Sequence, residues 1–278
     1  MDWVLRILIL HLLLCGIPVF VGSCVLVMER GKPVRITREG ASWFFREWAA
    51  HVVIIPLLLT GWWPTLPKAR RSPGDLAEGS ALSTERVPVL LVHGYARNRA
   101  CWRFLSIYLR TRGWRWIWAI NHRPWSSPIP VYAEHLDRAV DLLLEASGAS
   151  KVDLLAHSMG GVVAAWYLQM LGGKNKVRRL VTLGTPWKGT RTHVFALRRE
   201  GRDFALSSEV IQQIQDLEHD IVCVWSDSDP KVFPSESAKH EHARLVELPH
   251  LGHLEMLMSA RVFRTVVDAL AEPTQGGR

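Results

Sequence analysis

A serine in the segment 151–161, KVDLLAHSMGG, is placed where it could act as a nucleophile. The apolar run 152–156 has the length of a buried strand, and the residues after Ser158 follow a helical pattern. A sharp turn between that strand and that helix would expose the Ser158 hydroxyl and direct the backbone N–H of Met159 to the same point. The positive end of the helix dipole there favours developing negative charge. The spacing therefore predicts a nucleophile elbow, in which Met159 supplies one oxyanion N–H group.

Small residues around Ser158 favour the same interpretation, because a helix can pass close to a strand only where the side chains are small. They are Ala156, Gly160, Gly161, Ala164 and Ala165. The usual elbow pattern is G-x-S-x-G, and Ala156 departs from it at the first position. The alternative is an ordinary connection in which Ser158 caps the helix. A serine hydroxyl is a weak nucleophile without a base, so the elbow requires a histidine, a carboxylate and a second oxyanion donor elsewhere in the chain.

The second oxyanion donor is predicted at Tyr95. The β-branched, apolar run 87–92 is typical of a buried strand and stops at His93-Gly94-Tyr95. Because glycine lets the backbone turn sharply at the strand end, the N–H of Tyr95 could point toward the serine. A His-Gly turn after a strand is also common without any function, which is the alternative here.

Two aspartates compete for the acid and two histidines for the base. Asp229 stands in DPKVFP, a turn with an apolar anchor, and we predict it as the acid, whereas Asp227 could satisfy turn amides. We predict His253 rather than His250 as the base, because Gly252 gives it a flexible approach and leucines after it dock the next helix. The carboxylate would hold the histidine tautomer and stabilise the imidazolium.

The remaining histidines and the cysteines predict no further chemistry. His157 is interpreted as structural or solvated, and His240 and His242 as an exposed pair without a third metal ligand. The four cysteines lack disulfide or metal-ligand spacing and are interpreted as free thiols. We expect neither a cofactor nor a metal.

Strand patterns alternate with helical patterns from residue 87 to residue 271, which predicts an α/β fold with a mostly parallel sheet flanked by helices. The predicted strands are 87–92, 114–119, 152–156, 177–183, 220–225 and 243–248, and the predicted helices are 101–112, 131–147, 162–171 and 255–271. His93, Ser158, Asp229 and His253 all follow predicted strands, at the sheet edge where function gathers in such folds. The irregular stretch 192–215 could form a flap, and Trp114, Trp116 and Trp118 should share one covered face.

The N-terminal residues predict membrane helices. Residues 7–28 are apolar except for His11 and are long enough to cross a bilayer, and an uncleaved helix is preferred to a signal peptide. The second apolar stretch, 48–63, could be a short span, a re-entrant segment or a helix on the membrane, with Trp62 and Trp63 at the interface. We predict a membrane segment at 1–66, a linker at 67–85 and a catalytic domain at 86–273.

Charge gives the predicted location. The 278-residue chain has a formal charge of +8 from scattered arginines, which favours an anionic bilayer and not a nucleic acid as the partner. If both stretches span, five basic residues in the connecting loop place it in the cytoplasm and the catalytic domain in the periplasm. These residues are Arg30, Lys32, Arg35, Arg38 and Arg46. The expected location is therefore a membrane, specifically a bacterial inner membrane.

Several segments together resemble the compact bacterial lipases of the α/β-hydrolase superfamily. They are VLLVHGY, AHSMGG, TLGTPWKGT, SDSDPKVFP and LGHLEML, and Trp187 stands where histidine is frequent. The order Ser…Asp…His is the order of that superfamily. The resemblance implies an α/β-hydrolase fold with Ser158 as nucleophile, Asp229 as acid, His253 as base, and Tyr95 and Met159 as oxyanion donors. It implies a serine carboxylic ester hydrolase acting on lipid or other acyl esters; the alternatives are an acyltransferase and an inactive scaffold that binds lipid or a partner.

Overall fold

A computed structural model describes residues 2–30, 38–62, 86–196 and 199–273. Six parallel strands form one sheet in the order β2-β1-β3-β4-β5-β6. The strands are β1 Val89–Val92, β2 Ile117–Ala119, β3 Val152–His157, β4 Val177–Leu183, β5 Ile221–Trp225 and β6 Arg244–Glu247. The predicted linker 67–85 lies outside the described residues.

The central strands are continuous apolar runs because both faces of the sheet are covered. Every residue of β1, β3 and β5 is buried, while the edge strand β6 is mostly exposed. Leu90 and Leu154 are register partners that point into one core, and the next pair, Leu91 and Leu155, points into the other. This alternation confirms the predicted α/β fold with a helix layer on each face.

Seven α-helices surround this sheet in the described part of the chain. They are α1 Asp2–Arg30, α2 Arg38–Leu57, α3 Arg103–Thr111, α4 Ile129–Ser147, α5 Met159–Met170, α6 Glu209–Gln213 and α7 Ala260–Ala271. Helices α4 and α5 cover one face, with Leu136 and Val163 in its core. Helices α3 and α7 cover the other, with Leu105 and Val266.

Helix α2 belongs to this second core. Ala50 and Ile54 are buried there among side chains of α3, α7 and the sheet. Helix α1 packs on α2, where Trp48 Nε1 donates to the carbonyl oxygen of Leu12 (3.0 Å). By length and composition alone, Trp3–Met28 and Arg38–Thr60 could each cross a membrane.

The start of α2 shortens the predicted connecting loop. Helix α2 begins at Arg38, so Arg38 and Arg46 are helical residues and do not lie in a connecting loop. The side chains of α2 at positions 43, 47, 50, 51 and 54 are buried. Two of the five basic residues assumed for the loop therefore belong to α2, and the periplasmic orientation stays a prediction.

Three local predictions also change. Trp114 precedes β2 and lies in the core opposite to that of Trp116 and Trp118, so the three tryptophans do not share a face. The last helix starts at Ala260, because Glu255–Leu257 form a 3₁₀ turn. The predicted flap consists of 3₁₀ turns and α6, and buries Phe204 and Ile211 against the core.

Candidate active site

The turn between β3 and α5 holds Ser158 in a strained backbone conformation. Its φ of 56° and ψ of −128° are backbone angles that residues other than glycine rarely adopt. Such a conformation costs about 1–3 kcal/mol. Thr185 Oγ1 donates to the Ser158 carbonyl oxygen (3.0 Å) and so supports the turn. A Cβ on Gly160 would overlap the Val92 carbonyl oxygen, and a Cβ on Gly161 would overlap Thr185. The close passage of helix past strand predicted from the small residues is therefore present.

Asp229 and His253 form a buried pair. His253 Nδ1 donates to the Asp229 carboxylate, at 2.7 Å from Oδ2 and 2.9 Å from Oδ1. The N–H groups of Lys231 and Val232 also donate to Oδ1, so the carboxylate is fixed by its own turn. With Nδ1 bound to the carboxylate, the other ring nitrogen, Nε2, can accept a proton.

Ser158 lies beside this pair at the carboxyl end of β4. The N–H of Ser158 donates to the carbonyl oxygen of Leu183 (2.9 Å), the last residue of that strand. A Cβ on the next residue, Gly184, would lie 2.7 Å from Asp229 Oδ2 and 3.3 Å from His253 Nδ1. Ser158 and His253 are not hydrogen bonded to each other here; such a bond often tightens only when substrate binds.

His157, the histidine before the serine, contacts His253. His157 Nε2 lies 3.1 Å from the carbonyl oxygen of His253, and the two rings contact each other at an angle of 49° with centroids 4.6 Å apart. Burial lowers the pKa of His157 well below its usual value. A neutral ring at this place adds no positive charge beside His253, which must itself become positive to act as a base. The predicted structural role of His157 agrees with this position.

The predicted oxyanion side lies against the serine. A Cβ on Gly94 would come within 2.8 Å of the Ser158 Cβ, so the backbone that leads into Tyr95 passes directly beside Ser158. Gly94 and Met159 line a cavity of about 20 Å³, which Trp62 and Trp125 also line. Trp62 stacks on Trp125 with ring centroids 4.7 Å apart, so it packs on the loop that follows β2. Trp63 lies outside the described residues.

The rival acid and base have other roles. Asp227 Oδ1 accepts from the N–H of His250 (3.1 Å) and from Ser228 Oγ (2.9 Å), which joins the acid loop to the histidine loop. Asp227 therefore binds a backbone amide, as its alternative interpretation predicted. The carbonyl oxygen of His250 accepts from Arg46 Nη2 (2.6 Å), and His250 itself is exposed.

One prediction about histidines is wrong. His240 is buried and packs on the fully buried Trp187 with ring centroids 4.4 Å apart, although His242 is exposed. The two positions alternate between core and solvent, which the sequence pattern alone does not show. The described residues contain no group of three or more metal-ligating side chains.

The cysteines are free, as predicted. Burial raises the pKa of Cys101 to about 12 and that of Cys223 to about 11, so both stay protonated at neutral pH. A thiol that stays protonated is a poor nucleophile. Ser158 therefore has no competitor in these two residues.

Sequence reasoning missed two residues that hold the site together. Thr190 accepts from the N–H of Phe233 (2.9 Å) and donates to the carbonyl oxygen of Lys231 (2.9 Å), which ties the TLGTPWKGT segment to the acid loop. The resemblance of TLGTPWKGT to a segment of the compact bacterial lipases was the signal in the sequence that could have pointed to Thr190. The second residue is Glu47 of α2, which contacts the histidine loop. It stands at the end of a polar stretch and gave no local signal.

Comparisons with known proteins agree with this architecture. Residues 87–205 match the family model of the alpha/beta hydrolase fold. Lipase B of Pseudozyma antarctica is 30% identical over 138 residues, which are 45% of this chain and 37% of that protein. The chain thus spans little more than a third of the length of this relative.

Solved structures show the same fold at low identity. Lipase B of Aspergillus fumigatus has a TM-score of 0.63 at 15% identity, over 91% of this chain and 80% of that one. The mature lipase BlEst2 of Bacillus licheniformis has a TM-score of 0.58 at 14% identity, over 71% and 96%. At these identities the likeness concerns the fold. The resemblance stated from the sequence motifs is confirmed at the level of the superfamily.

Proposed function

We propose that this chain, a member of the α/β-hydrolase superfamily, is a serine carboxylic ester hydrolase that acts on lipid or other acyl esters. The observation that carries the proposal is the buried Asp229–His253 pair beside a serine in a strained strand-to-helix turn. The lipase among its relatives favours the same chemistry. A hydrolase of this type requires no cofactor.

The proposed reaction has two halves. Ser158 Oγ attacks the ester carbonyl carbon while His253 Nε2 takes its proton and Asp229 stabilises the imidazolium. The carbonyl oxygen gains negative charge, which the N–H groups of Tyr95 and Met159 would stabilise. Collapse breaks the bond to the alcohol, which leaves with the proton from His253, and an acyl-serine remains. Water, deprotonated by His253, then releases the acid and restores the serine.

Membrane association is the second part of the proposal. Helix α1 is 26 residues long over its apolar part, and many of its large apolar side chains are exposed. Leu5, Leu13 and Phe20 are 59%, 66% and 65% exposed. An apolar surface of this extent typically marks a contact with a membrane or a partner. The length of the helix, which is enough to cross a bilayer, favours the bilayer. The proposal therefore covers the membrane location of the protein and does not extend to the side of the membrane on which the α/β fold lies.

Hydrolysis of p-nitrophenyl butyrate tests the proposed function. We expect the wild-type protein to hydrolyse the ester and Ser158→Ala to lose nearly all activity, because only the nucleophile is removed. Added alcohol, with analysis of the products, separates hydrolysis from acyl transfer. A Ser158→Ala variant that hydrolyses the ester at the wild-type rate would show that the nucleophile is wrong.

A further inference from the structure

The N-terminal helix α2 places a buried carboxylate against the loop of the candidate base. Glu47 is 1% exposed. Its Oε1 accepts from the N–H of Leu254 (3.0 Å) and its Oε2 accepts from the N–H of Glu255 (2.9 Å). On the other side of His253, a Cβ on Gly252 would overlap the Glu47 carboxylate. The same side chain thus contacts the backbone both before and after the base.

Neighbouring side chains of α2 bind the same loops. Arg46 Nε donates to Glu255 Oε1 (2.6 Å), and Glu255 Oε2 accepts from the N–H of Gly252 (3.0 Å). Trp43 Nε1 donates to the carbonyl oxygen of Ser228, one residue before Asp229 (3.1 Å). One face of α2 therefore contacts the histidine loop and the acid loop at once.

A purely apolar contact would be enough to dock α2 on the sheet. A buried carboxylate is costly unless its oxygens are hydrogen bonded, so its presence needs a specific compensation. That compensation comes from the two amides that follow His253, which begin a 3₁₀ turn at Glu255. Two hydrogen bonds to one carboxyl group fix the position of a backbone more precisely than apolar packing does, because hydrogen bonds are directional.

We propose that Glu47 is a positioning residue for His253, so that the N-terminal segment completes the catalytic site. This inference rests on the proposed function. The imidazole must face both Asp229 and the serine hydroxyl, and its position depends on the backbone that Glu47 holds. A displacement of about 1 Å at a reacting group can lower the rate roughly 100-fold.

Two substitutions of Glu47 distinguish the effect of its acceptor oxygens from the effect of its side-chain size. Glu47→Gln keeps the size but presents an N–H₂ group to one of the two amides, so that amide loses its acceptor. We expect kcat on p-nitrophenyl butyrate to fall roughly 10- to 100-fold, with KM changed by less than about threefold because the ester is not contacted. Glu47→Asp keeps both acceptor oxygens on a shorter stem and should recover part of the kcat.

Ile54→Ala is the matched control for a loss of packing. Ile54 is a fully buried residue of the same helix and belongs to the core. We expect this variant to lower Tm while kcat stays within about twofold of the wild-type value, since the isoleucine side chain makes no hydrogen bond to the histidine loop.

The experiment combines three measurements on the full-length chain in detergent micelles. These are kcat and KM on p-nitrophenyl butyrate, Tm, and hydrogen exchange at the amides of residues 254 and 255. The proposal is supported if two results are found together. Glu47→Gln should speed exchange at these amides, and it should lower kcat more than Ile54→Ala does even though Ile54→Ala loses as much Tm or more. The proposal is overturned if the kcat of Glu47→Gln stays within twofold of the wild-type value. It is also overturned if kcat falls in proportion to the loss of Tm in both variants.

Failure of the proposed function gives a different result. The wild-type protein would then show no hydrolysis that depends on Ser158, whereas hydrogen exchange at residues 254 and 255 still reports on Glu47. If Glu47→Gln leaves exchange at the two amides unchanged, the proposed positioning role of Glu47 is overturned, whatever the activity.

Discussion

His253 Nδ1 lies 2.7 Å from Asp229 Oδ2, while Asp227, two residues earlier, binds the backbone of His250 instead. The two aspartates therefore form a matched pair for substitution. We expect Asp229→Asn to lower kcat about 1,000-fold or more, because the amide no longer holds the required histidine tautomer. Asp227→Asn should lower kcat by less than about tenfold, as only the loop connection is weakened. Ester hydrolysis at pH 8 measures both, and equal losses would mean that Asp229 is not the acid.

The cavity beside the serine predicts a barrier to long acyl chains. At about 20 Å³ it has room for about one water molecule, and the Trp62–Trp125 stack closes one side. We expect Trp125→Ala to raise kcat/KM for a dodecanoate ester relative to a butyrate ester about tenfold, or about 1.4 kcal/mol. Met170→Ala, at an exposed apolar residue of α5, should leave the ratio unchanged. An unchanged ratio in Trp125→Ala would place the acyl chain elsewhere.

Buried histidines predict a loss of stability in mild acid. Burial lowers the pKa of His93 to about 4 because it penalises the charged ring, and this outweighs the hydrogen bond to Gly94, which acts to raise the pKa. The ring donates from Nδ1 to the Gly94 carbonyl oxygen and accepts at Nε2 from the N–H of His122. Only the neutral ring can do both. Since the folded pKa lies below the unfolded value of about 6.5, the unfolded chain takes up the proton first as the pH falls.

The free energy of unfolding should therefore decrease from pH 7 to pH 5, by about 2 kcal/mol for His93 alone. Urea unfolding at the two pH values measures it. In His93→Gln this decrease should be smaller by that amount, and His242→Gln, at an exposed position, should keep the wild-type difference. A His93→Gln variant with the full wild-type decrease would contradict the assignment.

The outer face of α1 predicts where the protein partitions. Placing lysines at Leu5 and Leu13, both largely exposed, should lower binding to vesicles that contain anionic lipid, because a charge in the hydrocarbon region costs about 2–3 kcal/mol. Leu142→Lys is the control, at an exposed leucine of α4. Flotation of vesicles with the purified protein measures the bound fraction. Equal binding of wild-type and double-lysine proteins would exclude α1 as the membrane contact.

The residues of the candidate site could be found from the sequence because parallel strands bring their carboxyl ends to one edge. Ser158, Asp229 and His253 follow the strands β3, β5 and β6, and their order along the chain can be read without knowledge of contacts. The strained turn at Ser158 could be predicted because the small residues beside it report how closely helix and strand pass.

Contacts between distant segments could not be predicted in the same way. Glu47 lies 206 positions before His253 and looks like the end of a polar stretch, so nothing local shows that its carboxylate is buried. His240 looks exposed beside a lysine and a glutamate, yet its ring is covered by Trp187. In both cases burial is created by a partner that only the fold brings close.

The central claim is that Ser158 is the nucleophile, and covalent labelling tests it most directly. After reaction of the full-length protein with a fluorophosphonate, peptide mass spectrometry should find one adduct per chain, on Ser158, and Ser158→Ala should carry none. Adduct formation should be at least about 100-fold slower in Asp229→Asn, since the hydroxyl then lacks an oriented base. An adduct on a different residue, or an unlabelled Ser158 in a preparation that hydrolyses the ester, would contradict the account.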